Sequence, residues 1–414
     1  MRVLHIITGL ASGGAELQLR LLLRNMPPEV QSEVLTLENP GLVAQGIERD
    51  GVRVTHLGMR GNRDIPALYK ISKFIRQGNF DIVHTHLYRA CVYGRLAARL
   101  AGVRNIVATE HSLLDSSLEG RTITGGVKAL YKLTEHLGKH TVAVSRAVEG
   151  RLQAWGIPER KIRTIPNGID AAHFSMSEQE RAFAARAVRE ELGIPLDAYV
   201  VGGVGRLVPG KRFDVLIDAL AQMPETPGGR VPWLLLVGDG ASRGTLQQQA
   251  AELGVVDRTV FAGERADVRR LLAAMDVFAA PSVVETFGLA LLEALAAGLP
   301  VLYSSGPALE ELPSAEAPQA HAEASDGRSY AQRLGDLSLN SQCLPFPPPG
   351  AVHRYDIVEV VGQLTALYLE MVGPWTRAPE AVSPSLRSSA APVSPAPVSP
   401  APVSPAPGQP APHR

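Results

Sequence analysis

Short β-branched runs alternate with longer segments of helical period along the first three hundred or so residues, and few folds accommodate that alternation. RVLHII (Arg2–Ile7) precedes GGAELQLRLLLRNM, SEVLTL precedes GLVAQGIERDG, VRVTHLG leads to IPALYKISKFIRQ, and DIVHTHL leads to ACVYGRLAARLAG. RNIVATEH and HTVAVS continue the series. Parallel strands need long, usually helical crossovers, so the rhythm predicts a parallel sheet covered by helices on both faces. TIPNGID (Thr164–Asp170) reads as a turn closing this half. After a charged helical segment at about Ser177–Leu192 the rhythm restarts, with YVVGGVGRL, PWLLLVGDG, RTVFAG, DVFAAPS and LPVLYSS as strands. The expected fold is α/β: two Rossmann-like, doubly wound domains in tandem, with the carboxyl ends of their strands facing a central cleft.

The expected boundaries are 1–170 for the first domain, 171–195 for a linker helix, 196–354 for the second domain and 355–372 for a last helix. Regular structure is expected to erode after about residue 305, where Pro-, Ala- and Ser-rich sequence replaces strand formers. Residues 373–414 carry APVSP repeats too poor in bulky apolar groups to fold, which predicts a disordered tail.

Forty-one basic and forty-one acidic residues cancel, so no bulk positive field favours nucleic acid. Cys91 and Cys343 form neither a disulfide framework nor a CxxC pair, which fits a reducing compartment. The first apolar run is short and holds His5, unlike the apolar core of a leader, and no run of about twenty apolar residues predicts a spanning helix. These features lead us to expect a cytoplasmic protein, with peripheral contact at the inner membrane face left open.

Four clusters carry chemistry, each at or after a strand end. In GLASGGAE, Gly9 to Gly14 turns tightly into a helix whose free amides suit an anion; a glycine turn of this kind is also common without a ligand. In GRLVPGKRFD, Arg206 ends a strand and Lys211 opens the next helix, so the two can converge on one diphosphate. The alternative is a solvated loop with two incidental cations. In VATEHS, His111 follows a strand end, where a lone histidine is as readily structural as catalytic. His84 and His86 in HTH share one face of a strand, but no third ligand is evident nearby, which disfavours a metal. The fourth cluster is VVETFGLALLEALAAGLP. There Glu285 precedes a helix of about Leu289–Ala297, Glu293 lies about a turn inside it, and the amides of Phe287, Gly288 and Leu289 point at whatever binds. Amides for an anion, flanked by carboxylates for hydroxyls, describe a sugar nucleotide.

In order along residues 1–305 stand GGAE, HTH, ATEHS, AVS, PNGID, GRLxxxKR, LLLVGDG, VxFAG, DVFAAPS and an E-x7-E pair running into EALAAGLPV. Each is weak alone, but the ordered set resembles the retaining glycosyltransferases of family GT4, with the GT-B fold. The resemblance implies an acceptor-binding first domain, a nucleotide-binding second domain and a last helix that crosses back to the first. By position, Arg206 and Lys211 resemble the pair that neutralises the donor diphosphate. Glu285 resembles the carboxylate that holds donor-sugar hydroxyls near the reacting carbon, and Glu293 the one that binds ribose. The amides of Phe287, Gly288 and Leu289 would meet sugar and phosphate. His111 matches the histidine beside the donor sugar, and Gly14 the loop that closes over donor and acceptor.

The activity implied by this resemblance is transfer from a UDP- or GDP-sugar to a glycan, lipid-linked or small-molecule hydroxyl, with retention and with no cofactor. No D-x-D pair occurs to hold a metal, so Arg206 and Lys211 are expected to take its place. An isomerase of the sugar-nucleotide 2-epimerase type, a hydrolase using the two glutamates and a non-catalytic relative are the competing readings.

Overall fold

The computed structural model describes residues 1–373, apart from 12, 62, 116, 120, 227–228 and 340–344. The repeat-bearing tail and Cys343 lie outside the described residues. Seven parallel strands build the first sheet: β1 (Arg2–Ile7), β2 (Gln31–Thr36), β3 (Arg53–His56), β4 (Ile82–His86), β5 (Ile106–Glu110), then β8 (His140–Ala143) and β9 (Ile162–Thr164). A small antiparallel hairpin, β6 (Ser117–Leu118) and β7 (Arg121–Thr122), stands apart from it. The order across the sheet is β3-β2-β1-β4-β5-β8-β9. β4 and β5 are buried at every position, as expected of parallel strands covered on both faces.

The second sheet holds β10 (Tyr199–Val204), β11 (Pro232–Val237), β12 (Thr259–Gly263), β13 (Val277–Ala280), β14 (Val301–Tyr303) and β15 (Ala320–Ala322), ordered β12-β11-β10-β13-β14-β15 and all parallel. Both sheets reverse direction of winding once, between β1 and β4 and between β10 and β13. A doubly wound sheet opens a crevice beyond its strand ends at such a switch point. Residues that follow β1, β4, β10 and β13 therefore border these crevices.

The expectation of erosion after residue 305 is corrected. β15 extends the second sheet by pairing with β14, Val301 opposite Ala320 and Tyr303 opposite Ala322. A helix then runs from Gly327 to Ser338, with Asp326 accepting from the Ser329 amide as its cap. It packs tightly on the helix Phe213–Gln222: a Cβ at Gly327 would stand 2.6 Å from the Asp218 Cβ. Composition hid this region because a three-residue strand has no periodicity to display. The same brevity hides β9, which ends at Thr164 just where a turn was read.

The last helix, Ile357–Val372, is capped by Asp356, whose carboxylate accepts from the Val358 amide at 2.9 Å. Its buried residues Ile357, Val360, Val361, Leu364, Leu367, Tyr368 and Met371 recur every three or four positions, one face of an α-helix. They pack on Val3, Ile82, Val107 and Val142, from four strands of the first sheet. Each such apolar side chain contributes about 1.5–3 kcal/mol when fully buried. The chain thus enters the second half and ends on the first. Where it crosses, the Ile169 amide donates to the Tyr355 carbonyl at 2.8 Å and the Ile357 amide to the Ile169 carbonyl at 2.9 Å.

Candidate functional site

On the second sheet, the loop after β10 carries Arg206 and Lys211. Its backbone lies in the VGDG turn after β11: the Gly205 amide donates to Val237 and the Leu207 amide to Asp239, each at 2.9 Å. A Cβ at Gly238 would fall 2.0 Å from the Gly205 carbonyl oxygen, and one at Gly240 would fall 2.4 Å from that of Leu207. The two glycines therefore allow the close approach that seats the cations. The Lys211 ammonium donates to Glu285 Oε1 at 2.5 Å, joining the ends of β10 and β13 across the switch point. Arg206 is exposed and close enough to Glu16, on the first sheet's side, to act on it electrostatically. Burial raises the Glu16 carboxyl, while its own amide and Arg206 pull it down.

The helix after β13 spans Leu289–Ala296, one residue shorter than read from sequence. Gly288 is its N-cap at φ +101°, a left-handed conformation that glycine adopts without strain. No side chain caps this end, and no acceptor among the described residues takes the amides of Phe287, Gly288 or Leu289. Free N-terminal amides and the positive end of the helix dipole suit an anion. The Phe287 side chain is itself buried and packs edge-to-face on Tyr355, with ring centres 5.1 Å apart. Glu293 lies inside the helix, half-buried, with no ion pair or hydrogen bond for its carboxylate among the described residues; burial raises it to about 7.

The first sheet reaches the same loop. Ser145, after β8, donates to the Thr286 carbonyl at 2.6 Å while its Oγ accepts from the Val148 amide as a helix cap. Arg151 donates to the Glu285 carbonyl at 3.3 Å and pairs with Asp115 at 2.8 Å. The loop that bears Glu285 is therefore held from both sides. Gly14 opens the helix Gly14–Asn25 after β1, and a Cβ built on it meets nothing within 4 Å.

His111 follows β5 and is buried, with its Nε2 3.2 Å from His86 Nδ1 and its Nδ1 without a partner among the described residues. The parallel register places His5 of β1 opposite His84, so a third histidine does stand beside the HTH pair. Ligating atoms of His5, His84 and His86 lie within 4.8 Å of one another. They do not offer three free lone pairs, however. His84 is hydrogen-bonded on both nitrogens, to Tyr368 Oη at 2.6 Å and Thr109 Oγ1 at 2.7 Å. His86 is bonded on both of its own, to His5 and His111. This donor set fits a hydrogen-bonded cluster better than a resident metal.

Of the residues singled out from sequence, the structure brings Lys211 and Glu285 into contact and sets the Phe287–Leu289 amides beside them in the chain. It leaves His111 bonded to His86, and Glu293 with no partner. Sequence reading missed Glu16, Ser145, Arg151 and His5. Ser145 had a signal, a hydroxyl between a strand and a helix. His5 had none, because its neighbour is set by the pairing of strands far apart in sequence.

Residues 12–173 match the family described as Glycosyltransferase Family 4, and residues 185–342 that described as Glycosyl transferases group 1. The chain is 30% identical over 249 residues to the UDP-Gal:alpha-D-GlcNAc-diphosphoundecaprenol alpha-1,3-galactosyltransferase of Escherichia coli, covering 59% of this chain and 62% of that protein. It therefore spans less than two thirds of that relative. It is 29% identical over 318 residues to the putative glycosyltransferase EpsF of Bacillus subtilis (strain 168), covering 73% and 79%. Among solved structures it resembles Anabaena Alr3699/HepE in complex with UDP-glucose, at a TM-score of 0.74 and 24% identity over 88% of this chain and 98% of that one. The two doubly wound domains expected from sequence are thus the GT-B architecture.

Proposed function

We propose, since the chain belongs to glycosyltransferase family 4, that it moves a sugar from a nucleoside diphosphate donor to an acceptor hydroxyl with retention of anomeric configuration. The observation that carries this reading is the Lys211–Glu285 pair, which bridges the β10 and β13 ends beside an uncapped helix N-terminus. Departure of the diphosphate is the difficult step, because negative charge grows on it as the glycosidic C–O bond breaks. Lys211, Arg206 and the amides of Phe287, Gly288 and Leu289 supply positive potential there without reorganising, which lowers the barrier electrostatically. This is also what supports a reaction with no required metal. Glu285 then serves the sugar hydroxyls and Glu293 the ribose, while His111 meets the sugar from the first domain. With no covalent nucleophile evident, attack from the departing side, aided by the leaving phosphate, accounts for retention.

A UDP-sugar is favoured over a GDP-sugar by the names of the proteins the chain resembles, one using UDP-Gal and one bound to UDP-glucose. The first of these also supports a lipid-linked glycan acceptor. No helix among the described residues is long and apolar enough to cross a membrane. Peripheral contact with an anionic membrane is supported by the helix Ile65–Gly78, whose exposed face carries Ile65 and Tyr69 beside Lys70 and Lys73.

The test is incubation of the purified protein with UDP-sugars, with and without acceptor, beside Glu285→Ala and Lys211→Ala. Acceptor-dependent release of UDP, lost by at least about a hundredfold in both variants with their folds intact, is the expected result. Full activity in both would defeat the site assignment. A 2-epimer of the donor, or free sugar released without acceptor, would replace transfer by isomerisation or hydrolysis.

A further inference from the structure

Four histidines meet inside the first sheet, and three of them form a chain. His5 Nδ1 lies 3.1 Å from His86 Nε2, and His86 Nδ1 lies 3.2 Å from His111 Nε2. The two end nitrogens, His5 Nε2 and His111 Nδ1, are buried and have no partner among the described residues. His84 packs within this group, its ring centre 4.1 Å from that of His86 and tilted to it by 32°, but is bonded elsewhere, to Tyr368 and Thr109.

A neutral imidazole has one N–H and one lone pair, so each of its hydrogen bonds fixes the other. If His86 donates from Nδ1 to His111, its Nε2 is a lone pair and must receive the Nδ1 proton of His5. His111 then carries its own proton on Nδ1. If the polarity reverses, all three rings are protonated on Nε2, and His111 Nδ1 becomes an acceptor. Mixed tautomers leave two lone pairs or two protons facing each other. Hydroxyl partners at His84 can donate or accept, so that ring is under no such constraint.

We propose that His5 and His86 are positioning residues that hold His111 in a single tautomer, the three rings changing polarity only together. The inference rests on the reading of His111 as the first domain's contact to the donor sugar. A sugar hydroxyl meets an N–H or a lone pair at His111 Nδ1 according to the state of His5, two strands away in the sheet. Burial keeps the relay uncharged: His5 is held down to about 3, His111 to about 4, and His86 well below its usual range. Reversing the polarity moves one proton along each bond and needs one proton to leave His111 Nδ1 and another to reach His5 Nε2, so burial of both ends holds the chain in one polarity.

The decisive measurement is a long-range 1H–15N spectrum of the full chain labelled at its 11 histidines, assigned by single substitutions. The relay requires His5, His86 and His111 to be neutral and to share one tautomer. Unlike tautomers among them, a charged ring, or resonances of His5, His84 and His86 that move together on adding Zn2+ would overturn it. Replacing His5 with Phe keeps a ring but removes both nitrogens. His111 is then expected to show both tautomers, and kcat to fall about tenfold, the scale of one lost hydrogen bond. His5→Asn, which returns a polar group near the Nδ1 position, is expected to recover most of that loss. An unchanged His111 spectrum in His5→Phe would refute the positioning role. Undiminished transfer by His111→Ala would instead refute the donor contact, while the wild-type spectrum would still decide the relay.

Discussion

Glu293 sits on a helix that offers it nothing to bond, and its pH response follows from that. Its carboxyl rises from an ordinary 4.5 to about 7 because burial disfavours the charge. The folded protein thus holds this proton more tightly than the unfolded chain does. The stabilisation is complete below about pH 4.5 and is lost as pH rises through about 7. Glu293→Gln is expected to flatten its share of that slope and to be more stable than the parent at pH 8 by about 1–3 kcal/mol. Thermal melts of both proteins from pH 5 to 8 measure this; parallel slopes would contradict it. Gly14 gives a second test at the same scale, since nothing in the chain fills the space a methyl group would take. Gly14→Ala should melt no lower, alanine being the better helix former by about 1 kcal/mol. If a ligand uses that space, transfer falls about ten- to a hundredfold. Equal activity would remove Gly14 from the site. The site residues read from sequence were those with strand-end and turn signals around them. His5 was hidden, because β1 and β4 are neighbours in space with β2 and β3 between them in sequence.

The helix Leu289–Ala296 shows what a single element contributes. Its apolar residues Leu291, Leu292, Leu295 and Ala296 are buried, and its first turn carries no side-chain cap. Gly288 fixes the angle of entry. In Gly288→Ala the new Cβ would be strained at φ +101° and would stand 3.0 Å from Leu291 Cδ1. We expect a loss of more than about 1 kcal/mol in stability, with a larger fall in transfer as the three amides turn away. A variant that melts lower but transfers normally would show that the amides are not used. Elements of this length were legible because turn residues bracket them. The short strands β9 (IRT) and β15 (AHA) were not, since neither has the apolar run that marks the equally short β14 (VLY), and only their neighbours in the sheet define them.

At the scale of the molecule, the halves meet through specific polar contacts as well as a shared apolar cluster. Ser145 holds the Thr286 carbonyl, and the Ala147 amide donates to Glu311 at 3.1 Å. Ser145→Ala removes a cap and a bridge together, and should lower stability by about 1 kcal/mol while reducing kcat. If kcat is unaffected, the bridge does not set the loop that carries Glu285. Such contacts were beyond sequence reading, because each half displays its own βα rhythm and neither announces its partner. The last helix has a consequence in time. The first sheet emerges early from the ribosome, yet the side chains that cover Val3, Ile82 and Val107 belong to residues 357–371, made much later. Roughly two hundred residues lie between β9 and that helix, about 10–40 s of synthesis at about 5–20 residues per second. During that interval the first half carries an open apolar face, so its folding is gated by synthesis of that helix, and a nascent chain paused before residue 357 is where aggregation would begin.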